Sequence, residues 1–140
     1  MADLTDLRAF LRAAMGRPFA WGTDDCVLFG ADWVRWRFGE DPAAGLRGTY
    51  ADEAGAGRLI ADAGSLVAVC EAGLARCTGL DVTETETPAV GDVAVIDLRR
   101  RHLVAIRGTR HWIARTEGHG VIASRAPAVR VWRVCRQRLP

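Results

Sequence analysis

The hydrophobic pattern changes period part-way along the chain, and that change limits the possible folds more than any single motif. Up to about residue 79, apolar residues recur at helical spacing. Leu4, Leu7, Phe10, Leu11 and Ala14 share one helix face, with Asp3 or Thr5 as cap and Gly16 as stop. A second helix is expected from Asp24 or Asp25 to Phe38, closed by Gly39. A third lies in TYADEAGAGRLIADAG, weakened by its glycines, and a fourth in SLVAVCEAGLARC. After a polar connection, DVTETETPAVG, the runs become short and β-branched or aromatic: DVAVIDL, HLVAIR, RHWIAR, GVIAS and AVRVWRV. IRGTRH reads as a tight hairpin with Gly108-Thr109 at its tip. Helices first and an antiparallel sheet second predict an α+β fold, and 140 residues suit one domain, 1–140, with one core.

Charge is distributed unevenly. All 19 basic residues are Arg; residues 1–98 hold 8 of them against 16 acids, and residues 99–140 hold 11 against Glu117 alone. Such a dipolar chain suits contact with an anionic polymer or an acidic surface, unless the two halves interleave and neutralise each other. No nucleic-acid motif accompanies the arginines, so nucleic acid is not an expected partner. No apolar run approaches the ~18 residues of a membrane span, so no membrane insertion is expected. The amphipathic start MADLTDLRAFLRAAMG carries Asp3 and Asp6 and does not read as a secretory signal. The expected place of synthesis is the bacterial cytoplasm, with any site outside the cell reached by another route.

The four cysteines, Cys26, Cys70, Cys77 and Cys135, lack the short spacings of a zinc knuckle or redox motif, so no metal and no cofactor is expected. Cys70 and Cys77, on one helix, would stand ~10 Å apart along its axis, too far for a disulfide. Cys26 differs in its setting, RPFAWGTDDCVLFGADWV. At a helix start its sulfur would lie near free backbone N–H groups, which favours the reactive thiolate. Asp24 and Asp25 oppose this, although Asp25 can instead cap the helix. The alternative is a small apolar residue on a buried helix face.

A nucleophilic cysteine needs an imidazole within reach. Of His102, His111 and His119, His102 opens the strand HLVAIRG and by alternation shares a face with Val104 and Ile106. His111 falls on the return strand and His119 in the turn EGHG.

The order aromatic-x-Trp-Gly, Asp-Cys, Gly-Asp before a strand, then His-x5-Gly resembles the NlpC-type cell-wall peptidases. The matching stretches are FAWGTDDCVLF, GDVAVID and HLVAIRG. The chain is also similar to the small NlpC-like proteins encoded among tail genes of phages and gene-transfer agents, in which PFxWGxxDC and a stretch like PAAGLRGTY recur. The resemblance implies a papain-like α+β fold with the cysteine helix packed on the sheet. It implies Cys26 as nucleophile and His102 as general base, with Phe19, Trp21 and Asp25 as substrate-binding candidates. The family's third polar residue falls on Ala114, which cannot orient an imidazole. Arg115 would face His102 across a two-residue turn but is a poor partner for an imidazolium, and Glu117 could serve only if its strand ends early. The family's tyrosine is Phe19, so one oxyanion hydroxyl is missing.

Two functions follow from the resemblance. One is a cysteine peptidase at the tail tip of a phage or phage-like particle, hydrolysing peptidoglycan stem peptides. The other is a catalytically impaired adaptor among the tail-hub or tail-tip proteins. An acyl transferase on a related fold lacks any lipid-binding stretch to support it. Arg99, Arg100 and Arg101 read either as a solvated hairpin end or as a basic flank of the cleft that attracts carboxylates. Trp33, Trp36, Trp112 and Trp132 read as core fillers or as sugar-stacking platforms. Trp21, five residues before Cys26, is placed to wall a groove.

Overall fold

In a computed structural model, which describes residues 3–138, the elements run α1 (Leu4–Met15), α2 (Phe29–Phe38), α3 (Glu53–Ala63), α4 (Leu66–Ala75), β1 (Leu80–Glu84), β2 (Val93–Leu98), β3 (Arg101–Arg107), β4 (Trp112–Thr116), β5 (Gly120–Ser124) and β6 (Ala128–Arg136). The fold is α+β, with the helices preceding a six-stranded antiparallel sheet of order β1-β6-β2-β3-β4-β5. Helix starts follow local capping chemistry. The side chains of Asp3, Asp52 and Ser65 accept from backbone N–H groups at the starts of α1, α3 and α4. Gly39 ends α2 in the left-handed conformation, φ 78°.

α2 and α4 lie against the face of the sheet that carries Val93 and Val104, and α1 packs on α2. α2 lies close on β2 and β3, and a Cβ at Gly30 would fall 2.5 Å from Val104 Cγ1 and 2.8 Å from Val93 Cγ1. A larger residue there would push the helix off the strands. Phe10 of α1 packs on Phe29 and Trp33 of α2, with ring centroids 5.6 and 5.3 Å apart. The Trp33 indole N–H donates to Gly91 O at 2.9 Å. Trp33, Trp112 and Trp132 are core residues, whereas Trp36 is half exposed.

Three expectations need correction. β1 takes Leu80 and the first four residues of the stretch read as a polar connection; only Leu80 is buried and Val82 half-buried, so this edge strand gives a weak apolar signal and is held by pairing with β6. α2 begins at Phe29, not at Asp24 or Asp25, because residues 26–28 form a turn in which the Val27 and Leu28 N–H groups bond to Asp25. The β3–β4 loop holds four residues, Gly108–His111, closed by Gly108 N–H donating to His111 O at 2.9 Å. The pairing is therefore Ala105 with Ala114 and Arg107 with Trp112, so Arg115 does not face His102. Arg115 is instead buried, donating to the carbonyls of Ala14 and Arg17 at the end of α1.

Candidate functional site

The Cys26 turn is built by two stretches that meet in space. The buried Asp25 carboxylate accepts from Gly22 N–H at 2.8 Å, from Val27 N–H and Leu28 N–H at 2.9 Å each, and from the Tyr50 hydroxyl at 2.6 Å. Four donors replace the water that this anion loses on burial. Gly22, at φ 84°, sits so close to Tyr50 that a Cβ would fall 2.0 Å from its carbonyl oxygen. Gly48 N–H donates to Gly22 O at 3.0 Å. One residue earlier, Arg47 bonds Asp41 at 2.8 and 2.9 Å and Asp32 of α2 at 2.7 Å. GLRGTY is thus the clamp for WGTDDC.

The sheet opens at the same place. β3 and β4 pair only over Ala105–Arg107 and Trp112–Ala114. Just before Ala105, Val104 N–H donates to Cys26 O at 3.2 Å, so the cysteine backbone takes the position that β4 vacates. A cleft of about 460 Å³ results. Cys26, Phe19 and Trp21 form one side of it, Leu98, Arg99, Arg101 and Leu103 of the β2–β3 hairpin a second, and Thr116, Glu117, His119 and Ile122 around the β4–β5 turn a third. Glu53, the first residue of α3, closes one end. The Trp21 indole N–H donates to Glu117 Oε2 at 3.0 Å, tying two walls together. The Thr116 hydroxyl is buried and without a partner among the described residues.

The thiol of Cys26 is pushed up to about 11, first by burial and then by the charge of Asp25, with Glu53 adding and Arg101 opposing. It is a neutral thiol at physiological pH. Placement just before the helix does not give a thiolate: the Val27 and Leu28 N–H groups are taken by Asp25, and the Cys26 N–H and Arg101 oppose burial and the Asp25 charge without overcoming them.

Among the sequence-predicted residues, Cys26, Phe19 and Trp21 meet at the cleft. Asp25 does not line it; fully buried, it is a structural cap and not a surface for substrate. His102 pairs with Asp97, shares a strand face with Val104 and Ile106, and is exposed at the strand start rather than in the core. Arg101 and Leu103, its neighbours on either side, point to the cleft, so alternation turns His102 to the opposite face. The histidine that does line the cleft is His119, in the turn between Gly118 and Gly120. β4 ends at Thr116, which frees Glu117 to reach the cleft, where it takes the Trp21 indole. Tyr50 and Arg47 support the site from outside the cleft, and no apolar periodicity marks them. Their one sequence signal is the GLRGTY phrase itself.

A family model described as a domain of unknown function, DUF6950, matches residues 2–134, and the chain belongs to that family. No curated protein and no solved structure matches it.

Proposed function

We propose that this DUF6950 domain is an NlpC-type, papain-like domain of the tail tip of a phage or phage-like particle, with the Cys26 cleft as its site for peptidoglycan stem peptides. The observation that carries the reading is that the cysteine of the Trp-Gly…Asp-Cys motif opens onto a cleft walled by Phe19 and Trp21 and by two hairpins. In the cysteine-peptidase reaction the Cys26 thiol gives its proton to a base and Sγ attacks the amide carbonyl. The amine leaves with a proton, and water then hydrolyses the thioester. His119 lines the same cleft as Cys26, and His102 does not.

A second reading, the catalytically impaired adaptor of the tail-tip hub, is favoured by two observations. The thiol is pushed up to about 11 by burial and by Asp25, and His102 does not line the cleft. Purified protein incubated with isolated peptidoglycan separates the two. The peptidase releases fragments with new amino termini, seen by mass spectrometry, and Cys26→Ser releases none. If the native protein releases nothing, and particles carrying Cys26→Ser assemble and infect normally, the adaptor reading stands and the peptidase is excluded.

A further inference from the structure

The β2–β3 turn is built in an unfavourable way. Arg99 and Arg100 occupy the left-handed region, at φ 52° and 68°, where a two-residue hairpin turn normally places Asn or Gly. The turn is held by Arg100 N–H donating to Asp97 Oδ1 at 2.9 Å. Its effect is to put three consecutive arginines at the tip of the hairpin, with Arg99 and Arg101 lining the Cys26 cleft. Strain of this kind persists where the surroundings fix it, and it gathers at ligand clamps.

Arg101 is not idle. It pairs with Glu53 Oε1 at 3.5 Å, both side chains about two-thirds exposed, so the contact is loose and solvated. Glu53 comes from a different element, the first turn of α3, and both residues border the cleft. The β4–β5 side of the cleft carries Glu117, which accepts from the Trp21 indole. The cleft is therefore polarised, cationic along the β2–β3 hairpin and anionic at the β4–β5 turn.

We propose that Arg99 and Arg101 form a carboxylate subsite in the Cys26 cleft, and that Glu53 occupies it in the free protein until the carboxylate of an acidic peptide displaces it. The inference rests on the reading of this cleft as a peptide site. It does not require catalysis. Exchange of one carboxylate for another at an exposed arginine costs little, so Glu53 acts as a weak internal competitor. A ligand with a carboxylate near its reacting amide would be oriented with that group on the arginine wall.

The test compares alkylation of Cys26 by iodoacetate and by iodoacetamide, followed by peptide mass spectrometry. The thiolate attacks both reagents and displaces iodide, so the ratio of their rates cancels any change in thiol ionisation and reports the local field on a carboxylate. Loss of the two arginines in R99Q/R101Q should lower that ratio at Cys26 about three- to tenfold, and E53Q should raise it about two- to fivefold, as partly screened charges do. The ratio at Cys135 should hold constant in all variants. An unchanged ratio in R99Q/R101Q overturns the subsite, whatever E53Q does. An unchanged ratio in E53Q overturns Glu53 as its occupant. A chain that cuts no peptidoglycan can still show the arginine effect, and an active peptidase with an unmoved ratio loses only the subsite.

Discussion

The Tyr50 hydroxyl donates to Asp25 Oδ2 at 2.6 Å, and this bond joins the GLRGTY clamp to the turn that carries Cys26. Burial, reinforced by the charge of Asp25, pushes the Tyr50 hydroxyl well above its ordinary range, so it remains a donor at every working pH. Tyr50→Phe removes one donor from a buried carboxylate and should lower stability by about 2 kcal/mol, whereas Asp25→Ala strands three backbone N–H groups and should cost about 3 kcal/mol or more. Urea unfolding measures both. A Tyr50→Phe variant within about 0.5 kcal/mol of the native chain would show that the bond contributes little.

Cys26 alkylation should rise steeply with pH. With the thiol pushed up to about 11 by burial and Asp25, the iodoacetamide rate should climb about tenfold per pH unit between roughly pH 7 and 10. In Asp25→Asn the titration should move down, because a raising charge is removed. An inflection near neutral pH in the native protein would mean that an imidazole reaches the sulfur in solution, and would favour the peptidase.

The same shift has a stability consequence. The folded thiol titrates above its unfolded value of 9.0, so the folded state holds the proton more tightly. That contribution is complete below about pH 9 and is lost as pH rises through about 11. Cys70 and Cys77 are raised by burial in the same sense. Thermal midpoints should fall across this alkaline window, and Cys26→Ala should flatten part of the fall. A midpoint that is level from about pH 8 to 11 would contradict a thiol held neutral by the fold.

The period change read from the chain gives all four helices and five of the six strands, because each of those runs has an apolar stripe long enough to register. β1 has one buried side chain and a polar sequence, and only its pairing with β6 makes it a strand. Cys26, Phe19 and Trp21 were legible as neighbours because they lie within eight residues on one turn. The position of His102 was not. Alternation gives which residues share its face, but it does not say on which face the cleft opens. That depends on where β4 parts from β3, and a four-residue loop in place of a two-residue one shifts that register.

Asp32 tests how Arg47 clamps α2. Burial raises its carboxyl to about 6, with the Arg47 hydrogen bond and charge opposing. A carboxyl raised from 3.8 favours the folded state while protonated, so its contribution is present below about pH 4 and lost as pH rises through 6. Asp32→Asn should remove that component of the pH dependence, leaving Arg47 on Asp41. Arg47→Met, which strands both carboxylates, should cost about 3 kcal/mol at pH 7. Unfolding curves at intervals from pH 4 to 8 decide it: identical slopes for native chain and Asp32→Asn would show that Asp32 does not titrate in this range.

Trp21 and Glu117 strap the cleft from opposite walls, so breaking their 3.0 Å bond should change access to Cys26 and not its ionisation. Trp21 is half-buried against Phe19, with ring centroids 5.0 Å apart, and its indole N–H is the reach across to the β4–β5 turn. Glu117→Gln keeps an acceptor oxygen for the indole, whereas Trp21→Phe loses the donor. Trp21→Phe should therefore raise the limiting iodoacetamide rate at Cys26 about two- to fivefold with the same midpoint in pH, a change expected for losing one side-chain hydrogen bond of modest net strength. Glu117→Gln should raise it less. Should the midpoint move while the limiting rate stays fixed, the pair acts through the field at the sulfur, and the strap has no gating role.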